Sequence, residues 1–173
     1  SGQSFRDAAR QPAPIALVHH ANQYLISSGY EDRQGLPEIV DGYHALLDAH
    51  ERRGVPLSLH LSGTLIEALA WSAPGFLARV RDLHRRGLVS LIGGTYSENI
   101  MPMCSDEHNR RQLRERLLLH QLHLDERLIT MKLCWVPERV WNRSRLAPLL
   151  TDPSLPNGGY RYVLLDDRLL YAA

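Results

Sequence analysis

Glu138 stands between Trp135 and Trp141 and directly beside Arg139. Tryptophan faces stack on the C–H surfaces of sugar rings, and an arginine can hold a neighbouring carboxylate ionised by charge pairing. A carboxylate that must stay ionised to act as a nucleophile would use such a setting. The competing reading is an ordinary surface Glu–Arg pair with tryptophans in the core, and spacing alone leaves both open. Histidines supply the next candidates: His19 and His20, followed by Asn22 and Gln23, and His60, followed by Ser62 and Gly63. His19, His20 and His60, with Asp166 as a carboxylate ligand, could hold a divalent cation that activates water, the hydrolytic form of this reading using His19, His60 and Asp166. No short His-x-x-x-His pair accompanies them, so hydrogen bonding to substrate hydroxyls is preferred, and no metal or other cofactor is expected. His120 and His123 are spaced i, i+3 on a charged helix and read as solvated. Cys104 and Cys134 are too few for a disulfide framework or a four-thiolate zinc site, and read as buried thiols.

What gathers these groups is the order of elements. Short, nearly continuous apolar runs at Ile15–His19, Val55–Leu61, Leu88–Ile92, Met131–Trp135 and Tyr162–Leu165 have the character of strands buried on both faces of a parallel sheet. Helical spacing lies between them. Pro37 suits a first helical turn, Ile39, Val40, Tyr43, Leu46 and Leu47 form one stripe, and Gly54 supplies a stop. Two shorter helices, Thr64–Ala70 and Gly75–Arg86, are separated at Ser72–Pro74. Ser105 is an N-cap candidate with Asp106 and Glu107 in the first turn, opening a helix to about Asp125 with Leu113, Leu117, Leu118 and Leu122 inward. A last helix covers Ser144–Leu150, and Thr151–Gly159 reads as a loop.

Each apolar run is followed by polar or aromatic residues. His19 and His20 close the first, His60 the second, Tyr96 follows the third past Gly93-Gly94, Trp135, Glu138, Arg139 and Trp141 follow the fourth, and Asp166-Asp167 the fifth. In a parallel sheet these ends share one edge, where ligands of barrels and open α/β sheets bind. No glycine-rich phosphate loop follows any strand, which argues against a nucleotide-binding sheet.

The 173 residues suit one domain or part of a larger one, with a polar tail at 1–14 and the folded portion at 15–173. Twenty basic against nineteen acidic residues give a formal charge of +1, so no global field points to a nucleic-acid or membrane partner. The two cysteines make a cytoplasmic setting the default.

The segments LIGGTYSENIMPM, CWVPERVW and YRYVLLDD, with LSLHLSGTLIEAL and ALVHHANQ upstream, resemble glycoside hydrolase family 57. That family contains α-amylases, 4-α-glucanotransferases, branching enzymes and amylopullulanases. The resemblance runs from about Ile15 to Tyr171 and is most specific over Trp135–Trp141. It implies a parallel (β/α) barrel of seven strands, present here with about five, and a retaining mechanism on an α-glucan or maltooligosaccharide substrate. Glu138 would be the nucleophile, with His19, His20, His60, Tyr96, Trp135, Arg139, Trp141 and Asp166 binding substrate. The family's opening motif is His-x-His-Gln-Pro, where this chain reads His19-His20-Ala21-Asn22-Gln23, and His19 aligns more naturally. Where the family often has Tyr-Glu-Pro, this chain has Tyr96-Ser97-Glu98-Asn99. The family's acid/base aspartate lies on a strand later than Asp166-Asp167, so the sequence reads as an N-terminal piece, inactive alone, whose open sheet edges invite self-association. The alternatives are a metal-dependent polysaccharide deacetylase-like barrel and a non-catalytic carbohydrate-binding protein.

Overall fold

A computed structural model describes residues 14–22, 35–125, 127 and 130–166. Gln23 and Asp167 lie outside the described residues. Five strands alternate with helices: β1 (Val18–Ala21), α1 (Gly35–Arg53), β2 (Leu57–Leu61), α2 (Gly63–Ser72), α3 (Pro74–Arg85), β3 (Val89–Ile92), α4 (Asp106–His123), β4 (Leu133–Trp135), α5 (Arg143–Leu150) and β5 (Tyr162–Leu164). Single 3-10 turns at Met101–Met103 and Pro137–Arg139 follow β3 and β4. β1, β2 and β3 pair in parallel, as do β4 and β5. A parallel bridge between Gly93 and Cys134 joins the two sets, through Gly93 N–H to the Leu133 carbonyl at 3.0 Å and Trp135 N–H to the Gly93 carbonyl at 2.8 Å. The spatial order is therefore the sequence order, with every strand pointing the same way.

Local chemistry sets the helix ends. Ser62 and Ser105 cap α2 and α4 by accepting from the Leu65 and His108 amides, each at 3.2 Å, and Asn142 caps α5 through the Arg145 amide. Such a cap contributes about 1 kcal/mol. Gly54 and Gly87 follow α1 and α3 in the left-handed conformation.

Alternation along the strands divides the sheet into two faces. Leu57, Leu59 and Leu61 of β2 join Ala21, Val89 and the apolar stripes of α1, α2 and α3 in one core. Cys134 of β4 joins Leu113 and Leu117 of α4, Leu146, Leu149 and Leu150 of α5, and Tyr160 in a second. Removing a buried leucine side chain such as Leu59 would cost about 2–5 kcal/mol. The face away from the helices carries His20, His60 and Trp135.

Two expectations change. β1 begins at Val18 rather than Ile15, because Ile15 and Leu17 are solvent-exposed while the histidines occupy the ladder itself. On α4, Leu113 and Leu117 are buried, but Leu118 and Leu122 are exposed, and Arg116 and His120 take the inward positions instead. His120 is thus buried rather than solvated, with its Nδ1 3.2 Å from Arg116 Nη1. Cys134 is fully buried and Cys104 only partly.

Candidate active site at the strand ends

Parallel register fixes which histidine faces which way. His20 pairs with His60 across β1 and β2, so both project to the face away from the helices. Their Nδ1 atoms lie 2.9 Å apart and their rings stack with centroids at 4.9 Å. Trp135, at the end of β4, lies flat on His20, 4.3 Å between centroids with planes 7° apart, and 5.5 Å from His60. His20 remains open to solvent, whereas His60 is fully buried.

His19, one residue earlier, necessarily points to the opposite face. There its Nε2 meets His50 Nε2 of α1 at 3.0 Å, and His50 Nδ1 donates to the Val55 carbonyl at 2.9 Å. The motif alignment that favours His19 for the substrate subsite therefore gives way to His20. The two-residue period of a strand, not motif spacing, decides this.

The turn after β4 delivers Glu138. Val136 and Pro137 are buried, then Glu138 (φ 50°) and Arg139 (φ 54°) both adopt left-handed backbone and stand exposed. Among the described residues the remaining non-glycine with positive φ is Glu98 (φ 55°), in the turn after β3. Such conformations cost on the order of 1–3 kcal/mol each and concentrate at functional sites. All three fall here. The Arg139 guanidinium sits 6.0 Å over the Trp135 ring, where the sequence suggests a pair with Glu138.

Glu98 was not among the sequence candidates, yet it is the most perturbed carboxyl of the site. Its side chain is buried beneath Trp135, whose indole hydrogen-bonds it, and its Oε1 lies 3.4 Å from His60 Nε2. Burial pushes this carboxyl up to about 8, with Glu138 adding to the rise and Arg116 opposing it. Burial likewise holds the His60 imidazole well below its ordinary value, helped by Arg116, His20 and His120. Burial lowers His20 too, with Glu138 pulling up and Arg139 down. Arg116 is fully buried in α4, its own value lowered to about 10 by burial. Among the described residues, His20, His60 and Glu98 each offer a ligand atom, all within 4.8 Å of one another, so of the candidates His19, His20, His60 and Asp166 the structure keeps His20 and His60 together and puts Glu98 where His19 or Asp166 was expected.

The Gly93-Gly94 pair is needed sterically. A Cβ on Gly94 would lie 2.5 Å from His60 Nε2, and one on Gly93 would lie 2.3 Å from the Tyr160 hydroxyl. Tyr96 follows on the same turn, its hydroxyl donating to Glu67 Oε2 at 2.5 Å. Trp141 is half-buried against the second core. Asp166 lies two residues past β5, at the same edge and half-buried. His20, His60, Trp135, Arg139, Glu138 and the added Glu98 thus form one interacting group. Tyr96, Trp141 and Asp166 flank it, and His19 lies outside it.

An α/β protein with parallel strands, whose strand ends gather a strained carboxylate, paired histidines and an aromatic face, has the layout of an enzyme with its site at the carboxyl edge. The sequence profile of Glycosyl hydrolase family 57 matches residues 21–173, and the chain belongs to that family. It is 28% identical over 112 residues to alpha-amylase 1 of Dictyoglomus thermophilum, covering 65% of this chain and 15% of that protein. It is 24% identical over 147 residues to an alpha-amylase of Pyrococcus horikoshii, covering 84% and 20%. Its fold superposes on the crystal structure of 4-alpha-glucanotransferase from Thermococcus litoralis with a TM-score of 0.70 at 23% identity, covering 91% of this chain and 23% of that one. The chain spans about a fifth or less of the length of the curated relatives it matches.

Proposed function

We propose that this chain is the N-terminal portion, residues 15–173, of a seven-stranded (β/α) barrel that cleaves or transfers α-glucans with retention of configuration. The observation that carries the reading is Glu138, held by left-handed backbone at a strand end beside the His20–Trp135 stack. In this mechanism the ionised Glu138 carboxylate attacks the anomeric carbon. The glycosidic C–O bond breaks as a second carboxyl group protonates the departing oxygen, leaving a glycosyl ester on Glu138. Water or an acceptor hydroxyl then attacks, gives its proton to that same second group, and frees Glu138.

Trp135 supplies a stacking face, while His20, His60, Tyr96, Arg139, Trp141 and Asp166 shape the surrounding subsite. His19 acts only through its packing on α1. The acid/base is an aspartate on a later strand, as the family resemblance implies, so the 173 residues by themselves release no appreciable reducing sugar from starch. Among the described residues β1 and β5 each pair along one side only, which favours self-association of the isolated piece, and the two free cysteines fit a cytoplasmic setting.

In the intact protein, Glu138→Gln keeps shape but cannot form the ester. Turnover of maltooligosaccharides falls by about 10³-fold or more, with binding retained. Unchanged turnover defeats the assignment. The ligand-spaced trio of His20, His60 and Glu98 favours one second reading, a metal-dependent deacetylase. One equivalent of zinc in the purified protein, lost together with activity on chelation, would select it.

A further inference from the structure

The outward side of α2 carries one residue that folding does not call for. Leu65, Ile66 and Leu69 turn inward and are buried, while Glu67, Trp71 and Ser72 stand on the exposed side. Trp71 is 85% exposed, the most open aromatic side chain among the described residues. A polar residue would serve the helix equally well there, because surface positions away from the core contribute little to stability. Tryptophan at such a position has a use only if something covers its face.

α2 ties that indole to the proposed site. The helix begins three residues after His60, with Ser62 N–H donating to the Ala21 carbonyl at 3.2 Å and Thr64 N–H to the Tyr96 carbonyl at 3.0 Å. Gly63 packs so closely on Tyr96 that a Cβ there would lie 2.7 Å from its Cα and 2.7 Å from its ring. The Tyr96 hydroxyl reaches along the helix and donates to Glu67 Oε2 at 2.5 Å. Glu67 and Trp71 are spaced i, i+4, so they neighbour each other on the helix surface, about 6 Å apart along its axis. A phenol, a carboxylate and an indole thus follow one another from the edge of the subsite outward along α2.

We propose that Trp71 and Glu67 form a distal subsite for an α-glucan chain whose reacting unit lies at Glu138. The inference rests on the proposed action on α-glucans and adds to it a preference for long chains. The indole face stacks on the C–H surface of a glucosyl ring, and Glu67 accepts from that ring's hydroxyls through Oε1. With Oε2 already held by Tyr96, the Glu67 side chain has less freedom left to lose on binding. A protein partner suits this surface poorly. Stable protein interfaces bury about 800 Å² per partner around an apolar centre, whereas beside Trp71 α2 offers Glu67, Ser72 and the half-buried Ala68 and Ala70.

The subsite touches no reacting atom, so it binds ground state and transition state alike. It therefore lowers KM and leaves kcat alone. A sugar too short to span from Glu138 to Trp71 gains nothing from it.

The test compares wild type, Trp71→Ala and Trp71→Phe in the intact protein, with amylose as the long substrate and maltotetraose as the short one. In Trp71→Ala, KM for amylose should rise about 5- to 10-fold through loss of one aromatic stacking contact. The KM for maltotetraose and kcat on amylose should move far less. Trp71→Phe keeps a ring face and should recover most of the loss. Electrophoresis in native gels containing amylose reads the same subsite without turnover, and Trp71→Ala should be retarded less than wild type. Three results overturn the inference: wild-type KM and retardation in Trp71→Ala, a loss of kcat equal on both substrates, or a lowered urea midpoint or altered oligomeric state that places Trp71 in a protein contact. Retardation that depends on Trp71 in a protein without action on α-glucans would defeat the proposed reaction alone.

Discussion

Replacing Gly94 by alanine places a methyl group 2.5 Å from His60 Nε2. Non-bonded contacts of this kind settle near 3.5 Å, so the imidazole or the end of β3 must yield by about 1 Å. His60 has little room to yield, being fully buried, held at Nδ1 by His20 and stacked near Trp135. Overpacking of this kind costs about 1–3 kcal/mol. A displacement of about 1 Å in a positioning group costs on the order of 10²-fold in rate. Urea denaturation and kcat/KM on maltooligosaccharides, measured on the intact protein, should therefore both fall. Gly42→Ala is the control. Gly42 lies exposed in α1 with no heavy atom within 4 Å of its would-be Cβ, so alanine there should leave activity unchanged and stability equal or raised by about 0.5–1 kcal/mol. A Gly94→Ala protein indistinguishable from Gly42→Ala would refute the reasoning that close packing on His60 requires the second glycine.

The two adjacent histidines should separate cleanly: His20→Ala raises KM and lowers turnover, whereas His19→Ala, which loses a contact to α1, changes urea stability and leaves kcat/KM near wild type. Equal kinetic loss in both would contradict the strand register. Glu98 predicts a stability slope, since its carboxyl is raised from 4.5 to about 8 and the folded state holds a proton that the unfolded state releases between those values. The stabilisation that Glu98 retains below about pH 4.5 is lost as pH rises to about 8, and subtracting the urea titration of Glu98→Gln isolates this slope from the opposite contribution of the lowered histidines. A difference curve flat from pH 5 to 8 would remove the buried-acid assignment.

The elements were legible because their determinants are local. Ser62, Ser105 and Asn142 cap as their types suggest, Gly54 and Gly87 end helices, and apolar runs mark all five strands. β1 was displaced because its site face is polar: His20 belongs to the ladder, while the apolar Ile15, three residues before the strand begins, is exposed. The choice between His19 and His20 needs the pairing of His20 with His60, a property of two strands 40 residues apart. Glu98 escaped notice because its burial depends on a left-handed turn that tucks it under Trp135. Arg116 escaped, and His120 reads as solvated in the sequence, because a charged stretch of helix normally faces water; here both line the inner side of α4 while Leu118 and Leu122 face out. A buried charge at an otherwise apolar helical position is the signal that would have found Arg116.

The central claim is that Glu138 forms the covalent bond to the sugar. The most direct measurement is peptide mass spectrometry on the intact protein after reaction with a fluorinated α-glucosyl substrate, whose ester forms faster than it is hydrolysed. The account predicts a single glucosyl adduct on the peptide carrying Glu138, absent from Glu138→Gln. An adduct on Glu98 or Asp166, or turnover with inverted configuration and no adduct, would contradict it.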